Sequence, residues 1–283
     1  VVVITQDRRD SVMHTVARLL ALPAPPRVIV VDNASSDGTA AALHRAYPEI
    51  DVVRLDENLG AAARTVGVRL ATTPYAAFSD DDSWWEPDAL QEAAAVLDRT
   101  TRLAVVAGRI LVGREGRLDP VCLEMAASPL GEVPGAGPRV LGFVACGAVV
   151  RRSAYLAVGG FHPRYGVGGE EALLAIDLAE RGWTCAYVDR AVARHHPSAQ
   201  RAVGSRQARD VRNDVWTLWL RHRPSTALAG TLERLARWPT EPAVRDGLRQ
   251  AARGWRWVRD ERVPVTAATG RQLRQLRRLS RPV

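Results

Sequence analysis

The chain has 283 residues, 47% of them apolar and 25% charged, with a formal net charge of +8 at pH 7. That composition is ordinary for a globular protein, and the length suffices for one large core or two modest domains. No apolar run approaches the roughly 20 residues of a membrane span; residues 140–150 come nearest and are interrupted by Gly142 and Gly147.

Residues 1–5 are apolar and β-branched and read as a strand. Residues 11–22 have helical periodicity and stop at Pro23-Ala24-Pro25-Pro26. A buried strand is expected at 27–32, a helix at 39–47, a strand at 51–55 and a helix at 60–71. Residues 75–79 form the next strand and 87–98 the next helix. This βαβα order predicts an α/β fold with a mainly parallel central sheet flanked by helices. Residues 103–107 continue as a strand, and the Gly- and Pro-rich stretch 108–138 suits a variable loop or hairpin region. Strand 143–150, short helix 152–158, helix 170–181 and strand 183–188 follow, with His195-His196-Pro197 in a loop. From Gln207 onward the chain reads as helical, broken at Pro224, Pro239 and Pro264.

Cys122, Cys146 and Cys185 are far apart and lack CxxC spacing, which suits reduced, buried thiols in a cytoplasmic protein. No basic leader with an apolar stretch opens the chain, although it starts without Met, so an upstream segment stays an expectation. Charge is uneven: residues 201–283 hold 19 Arg against 7 acids, a balance of +12, and five of the eight Trp. Arg interleaved with Trp would suit nucleic acid or an anionic membrane surface. The favoured expectation is a helical extension with Trp and Leu packed inward and Arg solvated.

The most informative motif is Asp80-Asp81-Asp82, three carboxylates at the exit of a strand, where an open α/β sheet presents its ligand crevice. Adjacent like charges are left solvated or are given a cation. Mg2+ or Mn2+ bridging carboxylates to a diphosphate would use this arrangement; an acidic turn capping the next helix is the plainer account. Asp32, in Val31-Asp32-Asn33-Ala34-Ser35-Ser36-Asp37-Gly38, also ends a strand and suits a ribose hydroxyl or base N–H, or simple turn and capping chemistry. Asn58-Leu59-Gly60 leads into small alanines and Arg64, which suits a phosphate, a nucleoside or the bare surface. Gly166-Val167-Gly168-Gly169-Glu170-Glu171 joins a flexible loop to a carboxylate pair at a helix start, either offsetting the dipole or supplying a general base. Trp84 and Trp85 suit either an apolar wall for a sugar or core packing.

In this order and approximate spacing, the segments resemble the family 2 glycosyltransferases, over roughly residues 1–200. The resemblance implies a GT-A fold and inverting transfer of a sugar from a nucleotide diphosphate sugar, UDP-sugar favoured, to an acceptor hydroxyl. It places Thr5, Asp7, Asp32 and Asp80 at the nucleoside, with Arg8, Asn58, Gly60, Arg64 and Asp81 in the same donor-binding set. Asp82 would carry Mg2+ or Mn2+, helped by His195 or His196. Glu171 takes the catalytic-base position and Glu170 orients the acceptor. Asp7, Thr65 and Glu171 depart from the family's commoner Asn, Asn and Asp, which leaves base and acceptor preference open.

The expected organisation is a catalytic domain at 1–200, with nucleotide-binding half 1–100 and acceptor half 101–200, then a helical extension at 201–283. Expected partners are the donor and a small-molecule, glycan or lipid-linked acceptor. Peripheral contact with the inner membrane face and a homodimer are further expectations; nucleic acid is not expected. The rival readings are a nucleotidyltransferase and a tether acting through the basic tail.

Overall fold

The computed structural model describes residues 1–197 and 203–279. Four parallel strands form its first half: β1 (Val2–Thr5), β2 (Ile29–Asp32), β3 (Asp51–Arg54) and β4 (Tyr75–Asp80), in the spatial order β3-β2-β1-β4. Helices α1 (Arg9–Leu20), α2 (Thr39–Ala46) and α3 (Ala63–Leu70) make the crossovers. The two-residue period of a strand explains the layering. Val2, Ile29, Val31 and Phe78 face one core layer, while Val3, Val30 and Ala77 face the other. Burial on both faces is why β1, β2 and β4 read as apolar runs, while the edge strand β3 is only half-buried.

Next come β5 (Ser83–Trp85), α4 (Ala89–Arg99), β6 (Leu103–Val112), β7 (Arg117–Leu118), α5 (Pro120–Ala126), β8 (Glu132–Val133) and β9 (Gly137–Val140). They are followed by β10 (Ala148–Arg151), α6 (Arg152–Ala157), α7 (Glu170–Glu180) and β11 (Thr184–His195). The sheet continues β4-β10-β6-β11-β9-β8, with β10 antiparallel to both β4 and β6 and β11 parallel to β6. The sheet is therefore mixed, its parallel first half joined to the rest through one reversed strand.

Three local expectations need correction. The stretch 108–138 does hold hairpins, β6 with β7 and β8 with β9, but β6 runs on to Val112 and a helix not expected there, α5, is capped by Asp119, whose side chain accepts from the Val121 N–H. Residues 143–150 are not a single strand, because a 3₁₀ turn at Ala145–Gly147 precedes β10. The histidine pair does not lie wholly in a loop. β11 continues past a register shift between Val188 and Val192 and ends at His195, paired to Ser83 of β5. That shift absorbs the polar Asp189-Arg190 interruption, which breaks the apolar pattern at 188.

Helices α8 (Val203–Arg221), α9 (Pro224–Ala236), α10 (Pro242–Arg253), α11 (Trp255–Asp260) and α12 (Ala267–Leu279) make up the rest of the described residues. Pro224 and Pro242 sit in the first turns of α9 and α10, where no donor is needed. Trp216, with Trp219, Trp238 and Trp257, packs into a core that includes Tyr165 and Leu173, so the tail's core is continuous with the 162–173 segment. No helix among the described residues is long and apolar enough to cross a membrane. The expected boundary at 200/201 falls outside the described residues.

Candidate active site

The acidic triplet is held, not splayed. Thr5, the last residue of β1, donates its hydroxyl to Asp81 Oδ2 at 3.1 Å. Arg8 reaches Asp81 Oδ1 at 3.1 Å and Asp82 Oδ2 at 3.0 Å. From α1, the hydroxyls of Ser11 and Thr15 donate to the Asp81 carbonyl at 2.8 and 2.9 Å, fixing the turn's backbone. Both Asp81 and Asp82 are buried. Burial pushes the Asp81 carboxyl up to about 7, with Arg8 opposing and the charges of Asp82 and Asp80 adding. A solvated acidic turn is thereby excluded.

The β5–β11 pairing brings His195 to this cluster, its Nε2 3.3 Å from Asp82 Oδ1. One donor atom each from Asp80, Cys146 and His195 lies within 4.8 Å of the others. The two histidines have separate surroundings. His196 sets its ring edge-on to Trp84 at 4.6 Å, and burial with nearby arginines lowers its pKa. Its backbone N–H still donates to the Asp82 carbonyl at 2.8 Å. Trp84 and Trp85 are core residues, with Trp85 Nε1 donating to the Phe78 carbonyl at 3.2 Å, so the apolar-wall reading fails.

On the other side of β1, Asp32 is fully buried at the end of β2. Its Oδ1 accepts from the Ser35 N–H at 2.9 Å, while Oδ2 is buried without a hydrogen-bond partner. Turn chemistry and a spare acceptor coexist on one carboxylate. Asp7, at φ 49°, accepts from the Ser36 N–H at 2.6 Å and faces the same turn. Asn58 Nδ2 donates to Gln6 Oε1 at 2.6 Å and its Oδ1 accepts from the Gly60 N–H at 2.7 Å. Asn33 accepts from the Leu59 N–H at 3.1 Å and donates to the Gly60 carbonyl at 3.2 Å, locking this loop to β2. Gly60 is required there: at φ +59°, a Cβ would stand 2.7 Å from the Gly166 backbone. The Ala61 N–H donates to the Gly166 carbonyl at 2.8 Å.

Arg64 does not point outward. It is buried, donates to Asp80 Oδ1 and lies over the rings of Phe78 and Phe161 at 5.8 and 5.9 Å. Thr65 meets the Tyr155 hydroxyl at 2.8 Å and accepts from the Phe161 N–H, a core role.

Glu170 and Glu171 open α7. Glu170 is buried, accepts from the Gly168 N–H at 2.5 Å, and is pushed up to about 8 by burial and the charge of Glu171. Glu171 is half-buried, with Oε1 3.4 Å from the Ala145 N–H, one residue from Cys146. Burial chiefly raises its pKa; the Asp80 charge adds and Arg64 opposes. The folded chain thus keeps protons on Asp81 and Glu170 where unfolded carboxyls have lost them. Stability of the ligand-free protein is expected to fall as pH rises from the ordinary carboxylate range through about 7 for Asp81 and about 8 for Glu170. Melting temperatures across that window check this, and Glu170→Gln should flatten its upper end.

Sequence reasoning missed Asn213. It is fully buried on α8 and donates to the Tyr165 carbonyl at 3.0 Å and the Gly168 carbonyl at 2.5 Å. Arg212 Nη2 donates to the same Tyr165 carbonyl at 2.6 Å. A side chain at Gly168 would strike Asp210. The helical extension therefore shapes the loop that presents Glu170. No local signal marks Asn213, because its partners lie 45 and 48 residues away. Asn213→Leu should remove the two hydrogen bonds to the Tyr165 and Gly168 carbonyls, a loss of about 1–3 kcal/mol. Urea unfolding would read that loss, and catalysis should fall while donor binding persists.

A family model described as glycosyl transferase family 2 matches residues 1–159, more than half of the chain. The N-acetylglucosaminyl-diphospho-decaprenol L-rhamnosyltransferase of Mycobacterium tuberculosis (strain ATCC 25618 / H37Rv) is 29% identical over 214 residues, 62% of this chain and 68% of that protein. The putative teichuronic acid biosynthesis glycosyltransferase TuaG of Bacillus subtilis (strain 168) is 34% identical over 116 residues, 39% of this chain and 46% of that protein. Among solved structures, mannosyltransferase PcManGT from Pyrobaculum calidifontis, in complex with GDP-Man and Mn2+, superposes with a TM-score of 0.62 at 20% identity, covering 99% of this chain and 79% of that one. S. aureus TarS 1-349 in complex with UDP-GlcNAc gives 0.58 at 16% identity, over 77% and 65%. At these identities the structural likeness establishes the fold.

Proposed function

The chain belongs to glycosyl transferase family 2 and is a glycosyltransferase, and from that premise we propose that it is an inverting, metal-dependent enzyme moving a sugar from a UDP-sugar to a lipid-linked acceptor hydroxyl. The observation that carries this reading is the meeting of two carboxylate sets. The triplet with His195 lies at the ends of β4 and β11, and Glu171 reaches in from α7 to the turn that carries Cys146. The name of the mycobacterial relative, with a diphospho-decaprenol acceptor, supports the lipid-linked choice.

Asp80, Asp82 and His195 would hold the cation; the fit rests on the buried His195 Nε2, 3.3 Å from Asp82 Oδ1, and on the clustering of Asp80 and His195 donor atoms within 4.8 Å. Carboxylate oxygens with an imidazole nitrogen suit Mn2+ better than Mg2+. When bound, the ion supplies Lewis-acid neutralisation of the departing diphosphate. Thr5, Asp7, Arg8, Asp32, Asn58 and Gly60 shape the nucleoside side, with the spare Asp32 Oδ2 as acceptor for a base or ribose donor. Arg64 acts through Asp80, holding that carboxylate in place, and Asp81 through Thr5 and Arg8. Glu171 takes the acceptor proton as the hydroxyl oxygen attacks the anomeric carbon from the face opposite the leaving group. The bond from that carbon to the diphosphate oxygen breaks, and Glu170 with the glycine loop orients the acceptor.

Residues 1–100 would then serve the donor and 101–200 the acceptor, with the extension completing the acceptor side. The test is a thermal-shift panel of UDP, GDP and dTDP with and without Mn2+, followed by the product's anomeric configuration. Stabilisation by UDP only with Mn2+, and an inverted product, are expected. A nucleotidyltransferase would instead release pyrophosphate, and a product of retained configuration would sink the proposed direct displacement.

A further inference from the structure

The tail's tryptophans are mostly packed inward, so the extension displays little aromatic surface. What it displays is on α9. Leu228, Leu232 and Leu235 are 52%, 55% and 43% exposed, at spacings of four and three that align them on one helix face. The opposite face is seated: Ala227 and Gly230 are buried, and a side chain at Gly230 would meet Leu218 of α8 at 2.8 Å. Trp255, 46% exposed, stands edge-on to Trp219 at 5.1 Å, and Trp219 is bonded to Thr231 of α9. An exposed indole therefore stands against the α8 residue that is bonded to α9. Arg223 and Arg237 terminate the helix at its two ends, both exposed, Arg237 paired with Glu241 at 2.6 Å, and within the helix the one acid is Glu233. Apolar residues along one face, with arginines at the ends and an exposed indole on the neighbouring α11, match a helix lying in a lipid interface with phosphates around it.

We propose that the leucine face of α9, with Trp255, docks this protein on an anionic lipid bilayer. The inference builds on the lipid-linked acceptor proposed above, since a bilayer is where such an acceptor is presented. The same α8 that seats α9 also holds the Gly168 carbonyl through Asn213, so the docked helix is mechanically continuous with the acceptor loop.

The experiment is flotation of the full chain with phosphatidylglycerol-containing vesicles and with pure phosphatidylcholine vesicles. Leu228→Asp/Leu232→Asp is run in parallel, with Leu123→Asp, exposed on α5, as a control. The wild type should float with anionic vesicles, less at high salt. The double variant should lose about tenfold or more in partitioning per leucine, with melting temperature and UDP-sugar hydrolysis unchanged; Leu123→Asp should behave as wild type. Equal flotation of wild type and double variant, or no flotation of the wild type, overturns the proposal. So does a dimer in light scattering that the double variant splits, because the face would then belong to a second copy. Vesicle docking together with transfer only to soluble acceptors would keep the surface and remove the lipid-linked acceptor, so the two ideas fail separately.

Discussion

Glu171→Gln should bind donor nucleotide as the wild type does and lose sugar transfer by about 10²-fold or more. The amide keeps the side chain's shape and its contact near the Ala145 N–H. It removes the one thing a base needs, a carboxylate able to accept a proton. Because burial raises the Glu171 pKa, transfer by the wild type should climb with pH through that raised value, and the variant's residual rate should lack this limb. Donor affinity by calorimetry and turnover with a defined acceptor separate the two effects. Normal transfer by Glu171→Gln would remove the base assignment.

Asp82→Ala should abolish the metal-dependent part of nucleotide binding, a drop of at least about 100-fold in affinity. Loss of a partner merely behind a ligand already weakens metal sites by about 10–100-fold. The fold should survive, since the change also relieves like-charge repulsion on Asp81, and Arg8 keeps its contact with that residue. Asp80 makes the instructive contrast. It neutralises the buried Arg64 guanidinium, so Asp80→Ala would strand a buried charge, and a loss of activity there would mix unfolding with chemistry. Nucleotide-induced thermal shifts with Mn2+ and with EDTA would distinguish the two positions. An unchanged Mn2+-dependent shift in Asp82→Ala would mean the cation sits elsewhere.

Much of the architecture was legible because its signals are local. Apolar runs bounded by Gly, Pro and Asp placed β1 to β4 within a residue or two, since a strand buried on both faces needs an unbroken apolar run. The break read at Pro224 is real and is where α9 begins, since a missing N–H is tolerated in a helix's first turn. The strand 143–150 was misread, and α5 within 108–138 was missed, because Gly147 and the Gly/Pro-rich segment leave periodicity too weak to decide.

Within the site, residue types alone placed carboxylates at strand ends, and the order of the motifs carried the family. Nothing local told His195 from His196: adjacent residues alternate faces, and only the pairing of Ser83 with His195 turns that ring toward Asp82. Arg64 looked free to meet a ligand until the fold set it under Phe78 and Phe161 against Asp80. Asn213 was invisible because its meaning lies in carbonyls more than forty residues away. The sequence by itself determined the α/β alternation, the acidic crevice and the family, all written in short-range pattern. Tertiary structure alone decided which side chains face one another, because burial and pairing across distant segments set the partner, and hence the charge, of every group in the site.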